Sequence, residues 1–427
     1  MLEPSEAILN DGRLSSFSPV VERQHADREA ARLAFGISIF DDFAAAENEW
    51  RRFERDADCT VFQSFDWLSA WFRHVGVRSR IQPAIVLVRR ADGAPLLLLP
   101  LGVVPGAVRR LTWLGSDLCD YNAPLVAKDF SRQLTAVDFI ALWEDIRQRL
   151  QSKPQHRHDL IDLTKMPEIV GAQPHPFLHL AVGLNPSGAH LVRLHGTWEQ
   201  FYTAARSSAT RRRDRTKRKR LAELGEVRFV NPDSADEIVR TVELLIEQKA
   251  KAFARMGVED IFARPGYREF FLDLATDPRT RQLTHVSRFE VGTVCAAANL
   301  GLTFRGRYYH VLASHHDGEV SRFGPGAAHL RDLMARAIEQ GFCEFDFTIG
   351  DERYKFEWAD TELRLYDHAA AANPRGWPAA AWMLGSRRLK RAVKQNAILW
   401  GAVKRTRMLG ALLLRRKHAD ADQPEAR

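Results

Sequence analysis

A strand and the polar loop after it carry side chains that can move protons. Asp346 lies in the segment CEFDFTI, and Asp351, Glu352, Tyr354 and Lys355 follow it. A carboxylate acts as a general base, a phenol as an acid, and an ammonium group binds anions. Asp346 is the first candidate for a base, and Asp351 and Glu352 are the alternatives in the loop. A structural role for Asp346 stays open, because ion pairs and helix caps also use carboxylates.

A glycine turn precedes these residues. Gly324, Pro325 and Gly326 come directly before a helical pattern over residues 327–340. A helix that begins at such a turn presents free N–H groups and the positive end of its dipole, which together favour a phosphate group. Short glycine motifs also occur in ordinary loops, so a turn without a ligand is the alternative.

The segment after this helix alternates between apolar and polar residues, as a strand does. Its two predicted faces are Phe345, Phe347 and Ile349 on one side and Glu344, Asp346 and Thr348 on the other. The pattern therefore predicts a strand whose polar face lies beside the phosphate site.

The order of these motifs resembles a known acetyltransferase family. Gly324-Pro325-Gly326, Phe345-Asp346-Phe347, Gly350-Asp351-Glu352 and Tyr354-Lys355 look like the motifs of the bacterial acetyltransferases associated with cellulose biosynthesis. The segment FQSFDWLSAWFRHVG, residues 62–76, resembles that family's opening signature. The family is similar to the GCN5-related N-acetyltransferases (GNAT) and to the Fem-type aminoacyltransferases, which carry two such folds in tandem. The resemblance spans about residues 40–370.

This resemblance implies an α/β (α+β) fold made of tandem GNAT-like units, with mixed central sheets flanked by helices. It also implies acetyl-CoA or another acyl-CoA as co-substrate, with no metal. The implied CoA-binding residues are Arg322, Phe323, Gly324, Gly326 and Ala327. One position departs from the wider superfamily, which usually has Gln or Arg three residues before the first glycine of this turn. This chain has Ser321 there, beside Arg322.

Acyl transfer from a thioester needs a base for the nucleophile, a donor for the oxyanion and a proton for the thiolate. Tyr354 either protonates the thiolate or anchors its helix. Lys355 either binds an anionic substrate or phosphate, or is solvated. The Tyr-Lys pair is a signature of the resembled family, which supports a site here without fixing the two roles.

The length of 427 residues predicts two domains. A proline-containing linker over residues 173–187 separates two halves in which helices, a hairpin and further strands follow in similar order. We expect a mobile leader over residues 1–35, an N-terminal acetyltransferase-like domain over 36–190, a C-terminal one with the acyl-CoA site over 191–372, and a basic helical tail over 373–427. The polar loop at residues 115–122 is a candidate substrate edge, and a solvated connection is the alternative.

The net charge of +8 indicates an acidic partner such as a nucleotide cofactor, nucleic acid or anionic membrane. Nine of the fifteen residues from 206 to 220 are Arg or Lys. Such a run forms a solvated helix face or contacts phosphates. We favour the solvated or CoA-adjacent interpretation over nucleic acid, because the run lacks the interleaved aromatic residues of a single-strand binding surface.

The start of the chain lacks the pattern of a Sec-type signal, and four scattered cysteines fit a reducing cytoplasm. The pattern over residues 385–416 predicts a basic amphipathic helix, which either lies on the inner membrane surface or packs on the body of the protein. His310, His315 and His316 lack partners at ligand spacing and are interpreted as surface residues rather than a zinc site.

Three functions follow from these observations. The first is an acyl-CoA-dependent transferase for the amine or hydroxyl of a sugar or exopolysaccharide-related acceptor; its polysaccharide part comes from the resemblance alone. The second is a Fem-like aminoacyl-tRNA-dependent transferase that uses residues 206–220 for tRNA. The third is a non-catalytic binding module at the membrane. The chain has neither a G-x-x-x-x-G-K-[ST] phosphate loop nor a G-x-S-x-G nucleophile elbow.

Overall fold

The structure, a computed structural model, describes residues 35–396 together with residues 399, 401, 403 and 406. The predicted leader, apart from Phe35, and most of the predicted tail beyond residue 396 lie outside the described residues. The described chain forms two mixed α/β units in tandem, each a sheet with helices packed on it. This arrangement confirms the predicted fold class.

Strands make up the centre of both units. In chain order they are β1 (Gly36–Phe40), β2 (Gln82–Arg89), β3 (Pro95–Val104), β4 (Arg110–Trp113), β5 (Leu125–Val126), β6 (Leu160–Pro167), β7 (Ile169–Val170), β8 (Gln173–Pro174), β9 (Gly183–Leu184), β10 (Ala189–Arg193), β11 (Val227–Val230), β12 (Thr284–Val291), β13 (Val294–Phe304), β14 (Arg307–His315), β15 (Glu344–Ile349), β16 (Thr361–Leu363) and β17 (Leu365–Ala371).

Helices connect and cover these strands. They are α1 (Phe43–Glu54), α2 (Phe65–Trp71), α3 (Phe130–Gln133), α4 (Ala136–Ser152), α5 (Trp198–Ala205), α6 (Ser208–Leu224), α7 (Ala235–Met256), α8 (Tyr267–Thr276), α9 (Pro278–Arg281), α10 (Pro325–Glu339), α11 (Arg353–Trp358) and α12 (Trp377–Gln395). Local signals set several ends: Ser207 caps the start of α6, and Gly257, in the left-handed region, ends α7.

The first sheet has the strand order β1-β2-β3-β4-β6-β17-β9, with β5 beside β3. The hairpin of β2 and β3 lies inside this sheet, and its long apolar runs are buried on both faces. The predicted turn between them is present: Gly93 has a φ of 82°, and the Asp92 carboxylate accepts a hydrogen bond from the Ala94 N–H at 2.9 Å.

The second sheet has the strand order β11-β12-β13-β14-β15-β10-β16. Only the pair β14 and β15 is parallel, and α10 makes the crossover between these two strands. α7 packs against β13 and β14, and α10 packs against β13, β14 and β12. This strand, turn, helix and strand order is the one that the sequence predicted for the CoA-binding half.

The chain returns to the first sheet near its end. The segment after α11 is divided between the two sheets, with β16 in the second sheet and β17 in the first. β17 runs antiparallel to β6, from Leu365 opposite Pro167 to Ala371 opposite Leu160. Period-two patterning identifies a strand but not its partner, so sequence alone did not reveal this exchange.

The two units share one continuous apolar core. Trp67 and Trp71 are buried, and the Trp67 ring meets Phe270 of the second unit edge to face at 5.0 Å between centroids. The Arg73 guanidinium lies 3.0 Å from the Asp273 carboxylate across the same boundary. The interface therefore fixes one sheet against the other.

The last described helix begins earlier than predicted, at Trp377 rather than near residue 385. Its Arg387 pairs with Asp162 of β6, which holds one side of the helix on the first sheet. Among the described helices, none combines the length and apolar character needed to cross a bilayer.

Candidate active site

The glycine turn forms the start of α10. Gly324 has a φ of 65°, in the left-handed region that glycine tolerates best, and no side chain caps the helix. The first N–H groups of a helix lack intrahelical acceptors. A Cβ placed on Gly326 would meet only His315, at 3.7 Å or more, so the protein leaves open space around this residue. The turn is therefore free to receive an anion.

The basic helix α6 lies beside this turn. The Lys217 ammonium is 3.7 Å from the position that a Cβ on Gly324 would occupy. Two ion pairs fix α6 to α10: Arg218 with Asp332 at 3.0 Å, and Arg331 with Asp214 at 3.2 Å. The CoA-adjacent interpretation of residues 206–220 matches this position, although sequence did not single out Lys217 within the run.

Arg322, the neighbour of the atypical Ser321, points into solvent. It pairs with Glu319 at 2.5 Å, and its guanidinium lies over the Phe323 ring at 5.9 Å from the centroid. The ammonium group beside Gly324 thus comes from Lys217 of α6 and not from the turn itself.

The parallel strands β14 and β15 separate inside the sheet. They pair only between residues 307–309 and 344–346, and beyond these positions they have no common register. The backbone groups of β14 after residue 309 therefore have no strand partner on the edge that faces β15. The result is a wedge that opens towards the glycine turn, since β14 leads into that turn.

A β-bulge in β14 coincides with the start of the wedge. Leu300 pairs with Leu312 and Leu302 with Tyr309, so two residues of β14, His310 and Val311, face one residue of β13. A bulge leaves backbone groups outside the ladder. Unpaired N–H groups at this point are suitable donors to a developing oxyanion.

The far end of β15 is strained and closed by Lys355. Thr348 has a φ of 61°, which is rare for a β-branched residue, and the pairing with β10 is irregular here. Lys355 is 4% exposed, and its ammonium donates to the Ile349 carbonyl at 2.6 Å and pairs with Glu352 at 3.1 Å. Lys355 thus ties the end of the strand to the loop that carries Glu352.

Asp346 is completely enclosed. One carboxylate oxygen accepts from the Tyr121 hydroxyl at 2.6 Å and from the Thr348 N–H at 2.8 Å, and the other lies 3.3 Å from Arg307. Burial raises the pKa of Asp346 to about 6, although Arg307 and the hydrogen bonds from Tyr121 and Thr348 act in the opposite direction. Since its side chain is 0% exposed, a substrate atom has no direct path to it.

Tyr121 belongs to the polar loop, residues 115–122, that sequence proposed as a substrate edge. The structure brings its neighbour Asp120 towards the hydroxyl of Thr348, with Lys165 and Lys355 nearby. Burial raises the pKa of Asp120, and these two cations and the Thr348 hydroxyl partly oppose that rise. The first unit therefore contributes residues to the site, which sequence could not specify because they are far from β15 in the chain.

Tyr354 lies on the opposite face of β15 from Asp346. Its ring is 6.2 Å from Phe347 and 6.4 Å from His310, centroid to centroid. Burial, with the charges of Glu352 and Asp120, raises the pKa of Tyr354, so its phenol is protonated at neutral pH. His310 is buried rather than on the surface as predicted, and burial with the nearby Lys355 and Lys249 lowers its pKa to about 3. Within the described residues no group of side chains is arranged to hold a metal ion.

The two loop carboxylates line an open cleft of about 1150 Å³ at the end of β15. Asp351 pairs with Lys394 of α12 at 3.2 Å, and the side chain of Glu352 is 58% exposed. The structure therefore separates the predicted catalytic residues: Asp346 lies inside the unit interface, Tyr354 beside the wedge, and Asp351 and Glu352 in the cleft.

Loss of the Tyr121 hydroxyl should destabilise the fold. We expect Tyr121→Phe to lower the free energy of unfolding by about 2 kcal/mol, because a buried charged acceptor loses its donor. Tyr366→Phe is the matched control. The Tyr366 hydroxyl donates to Glu168 at 2.8 Å in a less buried place, so its loss should lower the free energy of unfolding by less than about 1 kcal/mol. Urea unfolding of both variants measures the difference, and equal losses would contradict a special role for the Tyr121–Asp346 contact.

Comparison with known proteins agrees with this geometry. Residues 208–356 match the family model of an acetyltransferase (GNAT) domain, and this range includes α6, the glycine turn, the wedge and Tyr354. No curated protein sequence matches the chain.

Solved structures resemble the chain at low sequence identity. A structure of FemX has a TM-score of 0.51 at 9% identity, over 75% of this chain and 95% of that one. L-PGS from Bacillus licheniformis has a TM-score of 0.46 at 10% identity, over 78% of this chain and 95% of that one. A tandem GNAT protein from the clavulanic acid biosynthesis pathway has a TM-score of 0.43 at 12% identity, over 80% of this chain and 99% of that one.

The match to the GNAT family model supports an acyltransferase. The chain carries a GNAT acetyltransferase domain at residues 208–356, within the second of its two sheet units.

Proposed function

We propose that this protein transfers an acyl group, most simply acetyl, from acyl-CoA directly to the amine or hydroxyl of a sugar or exopolysaccharide-related acceptor. The observation that carries the proposal is the position of Lys217 beside the uncapped start of α10, next to the wedge between β14 and β15. A cationic phosphate site and an opening in the sheet are the two features that a CoA thioester requires.

The residues that we assign to the donor are Arg322, Phe323, Gly324, Gly326 and Ala327. The N–H groups at Gly326 and Ala327 would hold the pyrophosphate, with Lys217 as a counter-charge. No metal takes part in this binding. The first unit contributes the loop with Tyr121, and the second unit contributes the acyl-CoA site.

The reaction would use residues on both sides of β15. Glu352 takes the proton that the acceptor loses as its nitrogen or oxygen bonds to the carbonyl carbon. Tyr354, kept protonated by its raised pKa, gives a proton to the sulfur as the C–S bond breaks. Backbone N–H groups of β14 near the bulge stabilise the oxyanion. Asp346 positions β15 through Tyr121 and Arg307, and Asp351 and Lys355 hold the loop.

The acceptor class rests on the motif order that resembles the cellulose-associated acetyltransferases. A direct test is the release of free thiol from acetyl-CoA by the full chain, with amino sugars and short glucan oligosaccharides as acceptors. We expect one acceptor class to accelerate release and to appear acetylated by mass spectrometry. Release that no saccharide accelerates, while an amine of another class does, would contradict the saccharide assignment.

A Fem-like aminoacyl-tRNA-dependent transferase is the second candidate. The observation in its favour is the outer face of α6, where Arg212, Arg213 and Lys219 are exposed. The FemX likeness shows a shared fold only. Transfer from aminoacyl-tRNA, with acetyl-CoA inert, would select this candidate.

We also propose that the protein is cytoplasmic and makes a peripheral contact with the inner membrane through α12. Trp382 and Leu389 lie on one face of the helix and are 76% and 66% exposed, and Lys390 is exposed beside them. Aromatic and basic side chains together favour the interface of an anionic bilayer.

Paired substitution of Trp382→Ser and Leu389→Ser should release the protein from anionic vesicles. We expect about a tenfold decrease in vesicle partitioning in flotation with phosphatidylglycerol, because both apolar anchors are lost, and weaker binding of the parent at high salt. Val137→Ser with Ile140→Ser on α4, at exposed positions of 61% and 45%, is the control. Equal partitioning of parent and variant would remove the membrane proposal.

A further inference from the structure

The cleft at the end of β15 has walls from both units and from α12. Residues 184–188, which link the two sheets, form one side, and residues 349–353 form the floor. Arg391 and Lys394 of α12 close the other side, and Arg364 lies at the start of β17. At about 1150 Å³ the cleft is as large as the upper range of small-molecule sites.

Most of the acidic side chains of the cleft are already matched. Asp351 pairs with Lys394 at 3.2 Å and Glu352 with Lys355 at 3.1 Å. The Glu362 carboxylate lies beside Gly188, at 3.0 Å from the position that a Cβ on that glycine would occupy. The acidic side chains of the cleft therefore lie together at the end of β15, where Glu352 is assigned as the base.

Two guanidinium groups of the cleft lack a close carboxylate partner among the described residues. Arg391 lies one helical turn before Lys394, and the described part of the chain offers it neither an ion pair nor a hydrogen bond. Arg364 reaches Glu168 only at 4.0 Å, the outer limit of an ion pair, and its side chain is 67% exposed. Guanidinium groups bind phosphate and carboxylate through paired N–H donors.

We propose that the acyl acceptor carries an anionic group, a phosphate or a carboxylate, which Arg364 and Arg391 bind. This inference rests on the proposed transferase function and names the substrate class of the same site. The anionic group lies against β17 and α12, and the acceptor's amine or hydroxyl extends towards Glu352. A neutral sugar would leave Arg391 without a counter-charge and Arg364 with only the distant Glu168 carboxylate, so the cleft should select against it.

Binding can be measured separately from turnover. We would saturate the full chain with CoA, so that its pyrophosphate site is occupied, and titrate glucosamine 6-phosphate and glucosamine by calorimetry. The phosphate ester should bind at least about tenfold more tightly than glucosamine, the scale of one charge-assisted hydrogen bond. Arg364→Gln and Arg391→Gln should each abolish that preference and leave CoA affinity unchanged.

Arg388→Gln, an exposed α12 residue outside the cleft, is the control and should keep the preference. Dihexanoyl phosphatidic acid in place of the sugar phosphate tells whether the anionic group belongs to a soluble metabolite or to a lipid. Equal affinity for the phosphate ester and glucosamine, or a preference that survives both cleft substitutions, would overturn the inference. Failure of CoA itself to bind would instead count against the proposed function, because the phosphate preference is measurable in its absence.

Discussion

Replacing Gly326 with Val is expected to weaken acetyl-CoA binding by about a hundredfold without a change in melting temperature. The close approach of a phosphate to the N–H groups of α10 needs a residue without a side chain. The protein itself has room for the substitution, since the nearest atom to the new Cβ is in His315 at 3.7 Å. The loss should therefore come from the ligand alone, and calorimetric titration of the folded variant measures it.

Gly183→Val in β9 is the matched control, because a Cβ there meets nothing within 4 Å and lies far from the turn in sequence. It should bind acetyl-CoA as the parent does. Lys217→Gln should give an intermediate loss of about tenfold, since it removes one phosphate counter-charge. A folded Gly326→Val variant with the parent's affinity would show that the glycine turn is not the phosphate site.

The second large effect should distinguish the carboxylates. Glu352→Gln is expected to lower turnover per folded molecule by about a hundredfold, the scale of general base catalysis, with the acetyl-CoA affinity retained. Asp346→Asn is expected to lower the melting temperature, because Arg307 loses its buried partner, while turnover per folded molecule remains near that of the parent. Both quantities should be measured on the same preparation.

Asp351→Asn is the control for a charge change in the same loop and should reduce turnover much less than Glu352→Gln. The opposite pattern, in which Asp346→Asn keeps its stability and loses turnover, would make the enclosed Asp346 the base. A raised pKa of about 6 suits that task, but the absence of a path to the carboxylate opposes it.

Sequence predicted the elements whose signals are local. The turn at Gly324, the helix after it and the alternating strand follow from patterns a few residues long, and the structure contains all three. Burial of Trp67 and Trp71 was also predictable, because large rings at helical spacing belong to a core. The assignment of the individual site residues to catalytic roles stays a prediction.

Long-range partners were not predictable. The hydrogen bond from Tyr121 to Asp346 joins residues 225 positions apart, and no local pattern encodes it. The alternation of β15 separated Asp346 from Phe345 correctly but did not show that both faces of the strand are covered. For the same reason, sequence did not predict that β17 joins the first sheet or that Lys217 lies beside Gly324.

Calorimetric titration of the full chain with acetyl-CoA and, separately, with aminoacyl-tRNA, followed by a transfer assay with each, distinguishes the two donors. We expect saturable binding of acetyl-CoA at one site per chain, removed by Gly326→Val, and no transfer from aminoacyl-tRNA. Saturable binding and turnover of aminoacyl-tRNA by a chain that does not bind acetyl-CoA would rule out acyl-CoA as the donor.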